Sequence, residues 1–230
     1  MSKNIIVTGA SGNLGKATVE RFLKDGHQVI ATVSPGKQLG YSVEGKIEVV
    51  QVDLTNEASA LEMVESVRSR YGVIDCAVLL VGAFNAGGVQ EADGLSIKKM
   101  YALNFETAYY VARPVFMYMM QQHLGGRMVL IGSRPALNPE EGKEVLAYAL
   151  AKSLLFQLAD YFNEAGRGKN VVTSVVVPGT IDTPANRQPG TPANGAYWVK
   201  AAEVADTIAY LVDDQARSLV QPIVKIYGNG

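Results

Sequence analysis

Cysteine is almost missing from this chain. Cys76 stands alone among 230 residues, so no internal disulfide can form, and a reducing compartment suits the protein. Histidine is nearly as scarce. His27 and His123 lie far apart with no acid or cysteine at ligand spacing, so no zinc or other metal site is expected. Charge is thin and balanced, with 21 basic against 22 acidic residues and a net charge of −1. That balance leaves no basic footprint for nucleic acid or an anionic membrane. No window approaches the ~18 apolar residues of a membrane span. The start "MSKNIIVTGASG" has no apolar stretch of signal-peptide length. These absences predict a cytoplasmic protein whose partner is a small molecule. No charge run, repeat or low-complexity tract divides the chain, which predicts one domain over residues 1–230.

Apolar residues are plentiful, at 48%, and they are ordered. Short β-branched runs fall at 4–8, 28–33, 47–52, 76–81, 127–131, 171–177 and 222–226. They do not alternate between apolar and polar, as strands covered on both faces do not. Helix-period segments fall at 14–24, 57–71, 97–122, 145–163 and 202–212. Strand, helix and strand in succession predict right-handed crossovers and an α/β fold: a doubly wound, parallel, seven-stranded sheet with helices on both faces. The Pro/Gly-rich "TPANRQPGTPANG" (183–195) follows a strand's C-terminal end, where such folds keep their ligands. It reads as a substrate lid near 183–200, with Tyr197 and Trp198 as stacking walls or as packing residues.

Three glycines, Gly9, Gly12 and Gly15, occupy the turn from the first strand to the first helix. Glycine lets a backbone approach a pyrophosphate, and the helix N-terminus offers free N–H groups with a partial positive charge. In that frame the pattern points to a dinucleotide. The second strand ends in "IATVSPGKQ", without the acid that would bind a ribose diol. Ser34 and Lys37, with Lys16 near the turn, could meet a 2′-phosphate instead, or could be solvated surface groups. This favours NADP(H) slightly over NAD(H). Asp53 could accept from an adenine amino group or cap the next helix with Thr55.

The stretch "VLAYALAKSLLFQLA" (145–159) carries one charge, Lys152. A lysine in an apolar helix is paired, snorkelling or in use. Tyr148 lies one turn before it, on the same face. A neighbouring ammonium lowers a phenol's pKa and makes it a proton donor and acceptor for carbonyl and alcohol chemistry. With 11 tyrosines and a dozen lysines in the chain, the pair alone is not specific. Its setting adds to it: the helix follows a strand and loop holding Ser133.

At these residues the chain resembles the short-chain dehydrogenases/reductases in their single-domain form, whose fold is the Rossmann fold. Tyr148-x-x-x-Lys152, Ser133 in "VLIGS", Asn104 in "MYALNFETAYYVAR" and "VVPGTIDTP" (176–184) fall in the family's order. The resemblance implies Tyr148 as general acid/base, Lys152 as its modulator and a ribose ligand, Ser133 on the substrate oxygen and Asn104 on a proton-carrying water. It implies a cofactor site made by Gly9, Ser11, Gly12, Asn13, Leu14, Gly15, Ser34, Asp53, Leu54, Val81, Gly82, Tyr148, Lys152, Pro178, Gly179, Ile181 and Thr183. Homodimers or homotetramers are also implied, and the nearly uncharged 108–120 and 145–163 helices have a surplus apolar face for them. Three features depart from the family's pattern. The glycine spacing is that of its extended branch, "LLVGAF" replaces the usual Asn-Asn-Ala-Gly, and 15 positions separate Ser133 from Tyr148. "VGAFNAGG" and "IDTPANR" look most like dihydropteridine reductases. The expected function is hydride transfer between a nicotinamide and a small carbonyl or alcohol. The alternatives are a pterin-type reductase, a non-catalytic dinucleotide sensor or, from the glycine spacing, a sugar-nucleotide epimerase.

Overall fold

The computed structural model describes residues 2–184, 186–187 and 198–228. Seven strands form one parallel sheet: β1 (Asn4–Thr8), β2 (Gln28–Val33), β3 (Ile47–Gln51), β4 (Cys76–Leu79), β5 (Gly126–Ile131), β6 (Val171–Pro178) and β9 (Ile223–Ile226). Their order is β3-β2-β1-β4-β5-β6-β9. A separate pair, β7 (Ile181–Asp182) and β8 (Val199–Lys200), lies outside this sheet. Most of the expected lid, residues 185 and 188–197 with Tyr197, is outside the described residues.

Both faces of the sheet are covered, as the unbroken apolar runs require. In β1, Ile6 faces a core it shares with Val64 of α2 (Glu57–Tyr71), Val111 and Val115 of α4 (Thr107–Met119), and Leu155 and Phe156 of α6 (Leu146–Ala165). Its neighbours Ile5 and Val7 face the opposite core, with Val19 and Phe22 of α1 (Asn13–Lys24) and Val204 and Ile208 of α7 (Ala201–Val212). The crossover from β2 to β3 has no helix. Its Tyr41 hydroxyl instead donates to Ala10 O at 2.9 Å and pins that loop to the glycine turn.

The long helix expected at 97–122 runs from Gly94 to Met119 and is interrupted by a π-turn. α3 (Gly94–Tyr101) and α4 are joined by a π-turn at Ala102–Glu106, closed by Thr107 N–H donating to Ala102 O. Such turns often mark functional positions, and this one holds Asn104. The space between Ser133 and Tyr148 is taken up by a 3₁₀ turn (Arg134–Ala136) and the four-residue α5 (Pro139–Gly142).

Strand order reverses between β1 and β4. Crossovers there lead to opposite faces and leave a crevice at the C-terminal ends of the strands.

Candidate active site

A cleft of about 580 Å³ occupies that crevice. The glycine turn, the ends of β4, β5 and β6, and the first turn of α6 line it. Gly9 takes φ +67°, a conformation that glycine adopts freely. A Cβ on Gly15 would stand 2.2 Å from Gly9 O, so only glycine lets α1 start so close to β1. The cap of α1 is Gly12, which supplies no side-chain cap bond, and no acid sits in the first turn. The N–H groups of α1 are therefore left for a ligand, and an anion is what they attract.

Of the expected site residues, Gly9, Gly12, Asn13, Leu14, Gly15, Ser133, Tyr148, Pro178, Gly179, Ile181 and Thr183 line this cleft. Ser11 is exposed on the same turn. Val81 packs against the turn, its N and Cγ2 each 3.3 Å from where a Gly9 Cβ would stand. A Cβ on Gly82 would meet Asn104 Oδ1 at 2.7 Å and Lys152 Nζ at 3.1 Å, so both groups lie against Gly82. Three residues stand apart from the lining. Ser34 is exposed beyond β2, and Leu54 is buried in the core beside α2. Asp53 Oδ1 accepts from Thr55 N–H (2.9 Å) and from the Thr55 hydroxyl (2.6 Å), which lowers its pKa. The cap of α2 is Asn56, accepting from Ser59 N–H, so Asp53 shapes the turn before the helix without capping it.

Lys152 neither snorkels nor finds a carboxylate among the described residues. It is 5% exposed, and its Nζ donates to Ile131 O at 2.9 Å. Burial without a counter-charge pushes its pKa down to about 8. Tyr148 is half-buried, and burial raises its pKa. The group opposing that rise is Ser133. No formed hydrogen bond joins the two, because Ser133 Oγ is buried and has no partner among the described residues. The expectation that Lys152 draws the phenol toward neutrality is thus corrected. The ammonium is committed to a strand-end carbonyl, and desolvation governs the tyrosine.

Asn104 is fully buried. Its Oδ1 accepts from Ala83 N–H (3.1 Å), and its Nδ2 donates to Ala83 O (2.9 Å) and Met100 O (3.1 Å). The side chain thus bonds a carbonyl of its own helix and also grips the loop after β4.

Sequence reasoning did not assign Leu80, Phe84, Ile131, Gly132, Arg134, Pro135, Glu141 and Thr180 to the site, yet they line the cleft, as does Asn186 of the expected lid. Phe84 could have been found as an aromatic between loop glycines just after a strand end. Arg134 could have been found as the neighbour of Ser133. Glu141 had no local signal, because α5 brings it in.

The sequence matches the short chain dehydrogenase family over residues 3–193. A dihydropteridine reductase of Dictyostelium discoideum is 28% identical over 214 residues, covering 90% of this chain and 87% of that protein. A 3-oxoacyl-(acyl-carrier-protein) reductase of Thermotoga maritima is 26% identical over 245 residues, covering 98% and 96%. Among solved structures, a short-chain dehydrogenase/reductase from Burkholderia xenovorans superposes with a TM-score of 0.89 at 28% identity, covering 98% of this chain and 95% of that one. The chain belongs to the short-chain dehydrogenase family. It is an NAD(P)-dependent dehydrogenase/reductase on a Rossmann-type sheet. Among the described residues, no helix is long and apolar enough to cross a membrane, and no three His, Cys, Asp or Glu side chains gather as a metal site.

Proposed function

We propose that this protein transfers hydride between a nicotinamide cofactor and a small carbonyl or alcohol, with Tyr148 as general acid/base. One observation carries the reading. The Tyr148 phenol and the unpartnered Ser133 oxygen share a cleft with a glycine turn whose helix N–H groups have no side-chain cap. When bound, the cofactor supplies the hydride. Tyr148 gives its proton to the substrate oxygen. Burial raises its pKa, which favours the protonated phenol. Ser133 Oγ, with no bond to break, is ready to orient the same oxygen. Lys152 holds the end of β5 through Ile131 O and stands beside Gly82, where it would hold the cofactor's ribose. Asn104 fixes the loop that forms the cleft's second wall.

NADP(H) is the preferred cofactor in this reading. Ser34 and Lys37 are exposed past β2, and no acid stands there. Lys16 contributes less, because it is shared between Glu20 at 3.8 Å and the Tyr41 ring at 5.4 Å. The lone, buried Cys76 is compatible with the reducing cytoplasm. A pterin-type reductase is the second reading. The Dictyostelium relative favours it, as does the aromatic loop "VGAFNAGG" beside Tyr148.

The test is Tyr148→Phe, assayed by NADPH oxidation with a carbonyl panel and a quinonoid dihydropterin. Turnover should fall on the order of 10³-fold, within the range for lost acid–base catalysis. NADPH binding, followed by fluorescence, should persist. Undiminished turnover refutes the assignment. Wild-type binding of NADPH without oxidation by any probe would favour the sensor alternative.

A further inference from the structure

Phe84 is an exception among the six phenylalanines. The other five are buried or partly buried, while Phe84 is 65% exposed. It lines the cleft, edge-on to the Tyr148 ring, with centroids 5.2 Å apart and planes at 72°. The exposure is not that of a loose loop. Ala83, just before it, is gripped at both N–H and C=O by Asn104. Three residues after it, Gly87 bridges to Val145, and its carbonyl accepts from Leu146 N–H at 3.0 Å. A braced loop therefore holds an apolar ring in water beside the proton donor, at a cost that ligand burial would recover.

The cleft's lining also includes a preformed ion pair. Arg134 Nε donates to Glu141 Oε2 at 2.9 Å. Asn138 Nδ2 donates to Glu141 Oε1 at 3.0 Å, and the Arg134 guanidinium lies 5.6 Å from the Tyr227 ring centre. This wall offers hydrogen-bond donors and acceptors with no net charge.

We propose that Phe84 is the shelf on which the substrate ring lies and that the Arg134–Glu141 pair reads its polar edge, so that the site selects flat, uncharged cyclic carbonyls over open-chain or anionic ones. The proposal rests on Tyr148 being the proton donor. Chemically it adds no step. Hydride from the nicotinamide goes to the carbonyl carbon, and the Tyr148 proton goes to its oxygen.

The test titrates three probes calorimetrically into protein saturated with NADP+, where no reduction can occur. Isatin is flat and uncharged, isatin-5-sulfonate flat and anionic, and 2,3-butanedione open-chain. Wild type should bind isatin at least tenfold tighter than 2,3-butanedione. Phe84→Ala should cut that preference to threefold or less, and Phe84→Leu should restore part of it. Glu141→Gln, which unpairs Arg134, should move the affinity ratio at least fivefold toward the sulfonate. With NADPH, Phe84→Ala should raise KM for isatin more than it lowers kcat. The proposal falls if wild type does not bind isatin, if Phe84→Ala weakens both uncharged probes equally, or if only kcat changes, which would make Phe84 a prop for Tyr148. An unmoved ratio in Glu141→Gln removes the ion pair from it. Titration needs no turnover, so failure of the Tyr148 reading would show separately, as a Tyr148→Phe protein that still reduces isatin.

Discussion

A charged amine enclosed without a carboxylate is a cost that the fold carries for another purpose, and Lys152 is such an amine. Its pKa is about 8 when folded, against 10.5 for the free side chain. Below pH 8 both folded and unfolded chains hold the proton, and the folded one bears the full desolvation penalty. Between pH 8 and 10.5 the unfolded chain holds more protons than the folded one, so stability rises with pH. A gap of this size is worth about 3 kcal/mol. Replacing the amine also strands Ile131 O, which costs about 1 kcal/mol. Lys152→Met should therefore be more stable than wild type at pH 7 by about 2 kcal/mol, raising Tm by roughly 4–8 °C. The advantage should shrink above pH 8, vanish at roughly pH 9.5 and turn by pH 10.5 into a deficit of about 1 kcal/mol, the cost of the stranded carbonyl. Thermal melts across that range check it. A Lys152→Met destabilised at pH 7, or a pH-independent difference, would mean that the amine is not buried as a cation. Turnover should be lost in the same variant.

At the scale of the element, the glycine turn separates packing from ligand approach. A Cβ on Gly15 would collide with backbone atoms: Gly9 O at 2.2 Å, and Ala10 Cα and C at 2.8 and 2.9 Å. Backbone cannot swing aside as a side chain can. Gly15→Ala should cost about 3 kcal/mol and abolish cofactor binding. At Gly12 the nearest atom is Gly9 O, at 3.3 Å. Gly12→Ala should melt within a few degrees of wild type yet bind NADPH at least tenfold more weakly, because Gly12 lines the cleft at the cap of α1, where an added methyl takes ligand space. Equal effects of both variants on Tm would show that the turn is only a packing device.

The same turn shows what the sequence makes legible. Strand and helix positions came through within a few residues, because apolar runs and the 3.6-residue period express burial directly. Gly9 stood out as a glycine at a strand-to-helix turn and Lys152 as the one charge of an apolar helix, whereas Ser133 and Tyr148 drew notice through the order of motifs that the chain shares with a family. The π-turn around Asn104 was not readable, since one extra residue in a helix leaves no compositional trace. Arg134–Glu141 and the Lys152–Ile131 bond escaped because tertiary packing sets them. The direction of the Tyr148 shift went wrong for the same reason: spacing placed two side chains on one face but could not say where the amine would point.

For the whole molecule, the doubly wound sheet covers one apolar face of α4 and α6 and leaves apolar side chains of both exposed. Leu150 and Leu154 on α6 are 49% and 36% exposed, one turn apart, and Met117 on α4 is 52% exposed. The two helices pack together, with Phe116 and Phe162 stacked at 4.5 Å. With a net charge of only −1, little repulsion opposes a second copy. Covering this face needs about 800 Å² per partner, the usual size of a specific interface. The protein should sediment as a dimer or tetramer at micromolar concentration. The double variant Leu150→Glu, Leu154→Glu adds charge only where side chains already meet water. It should shift the species to monomer while keeping the circular dichroism of the wild type. A wild-type chain that sediments as a monomer at 50 µM, or a double variant with an unchanged sedimentation coefficient, would remove this face as the contact between copies.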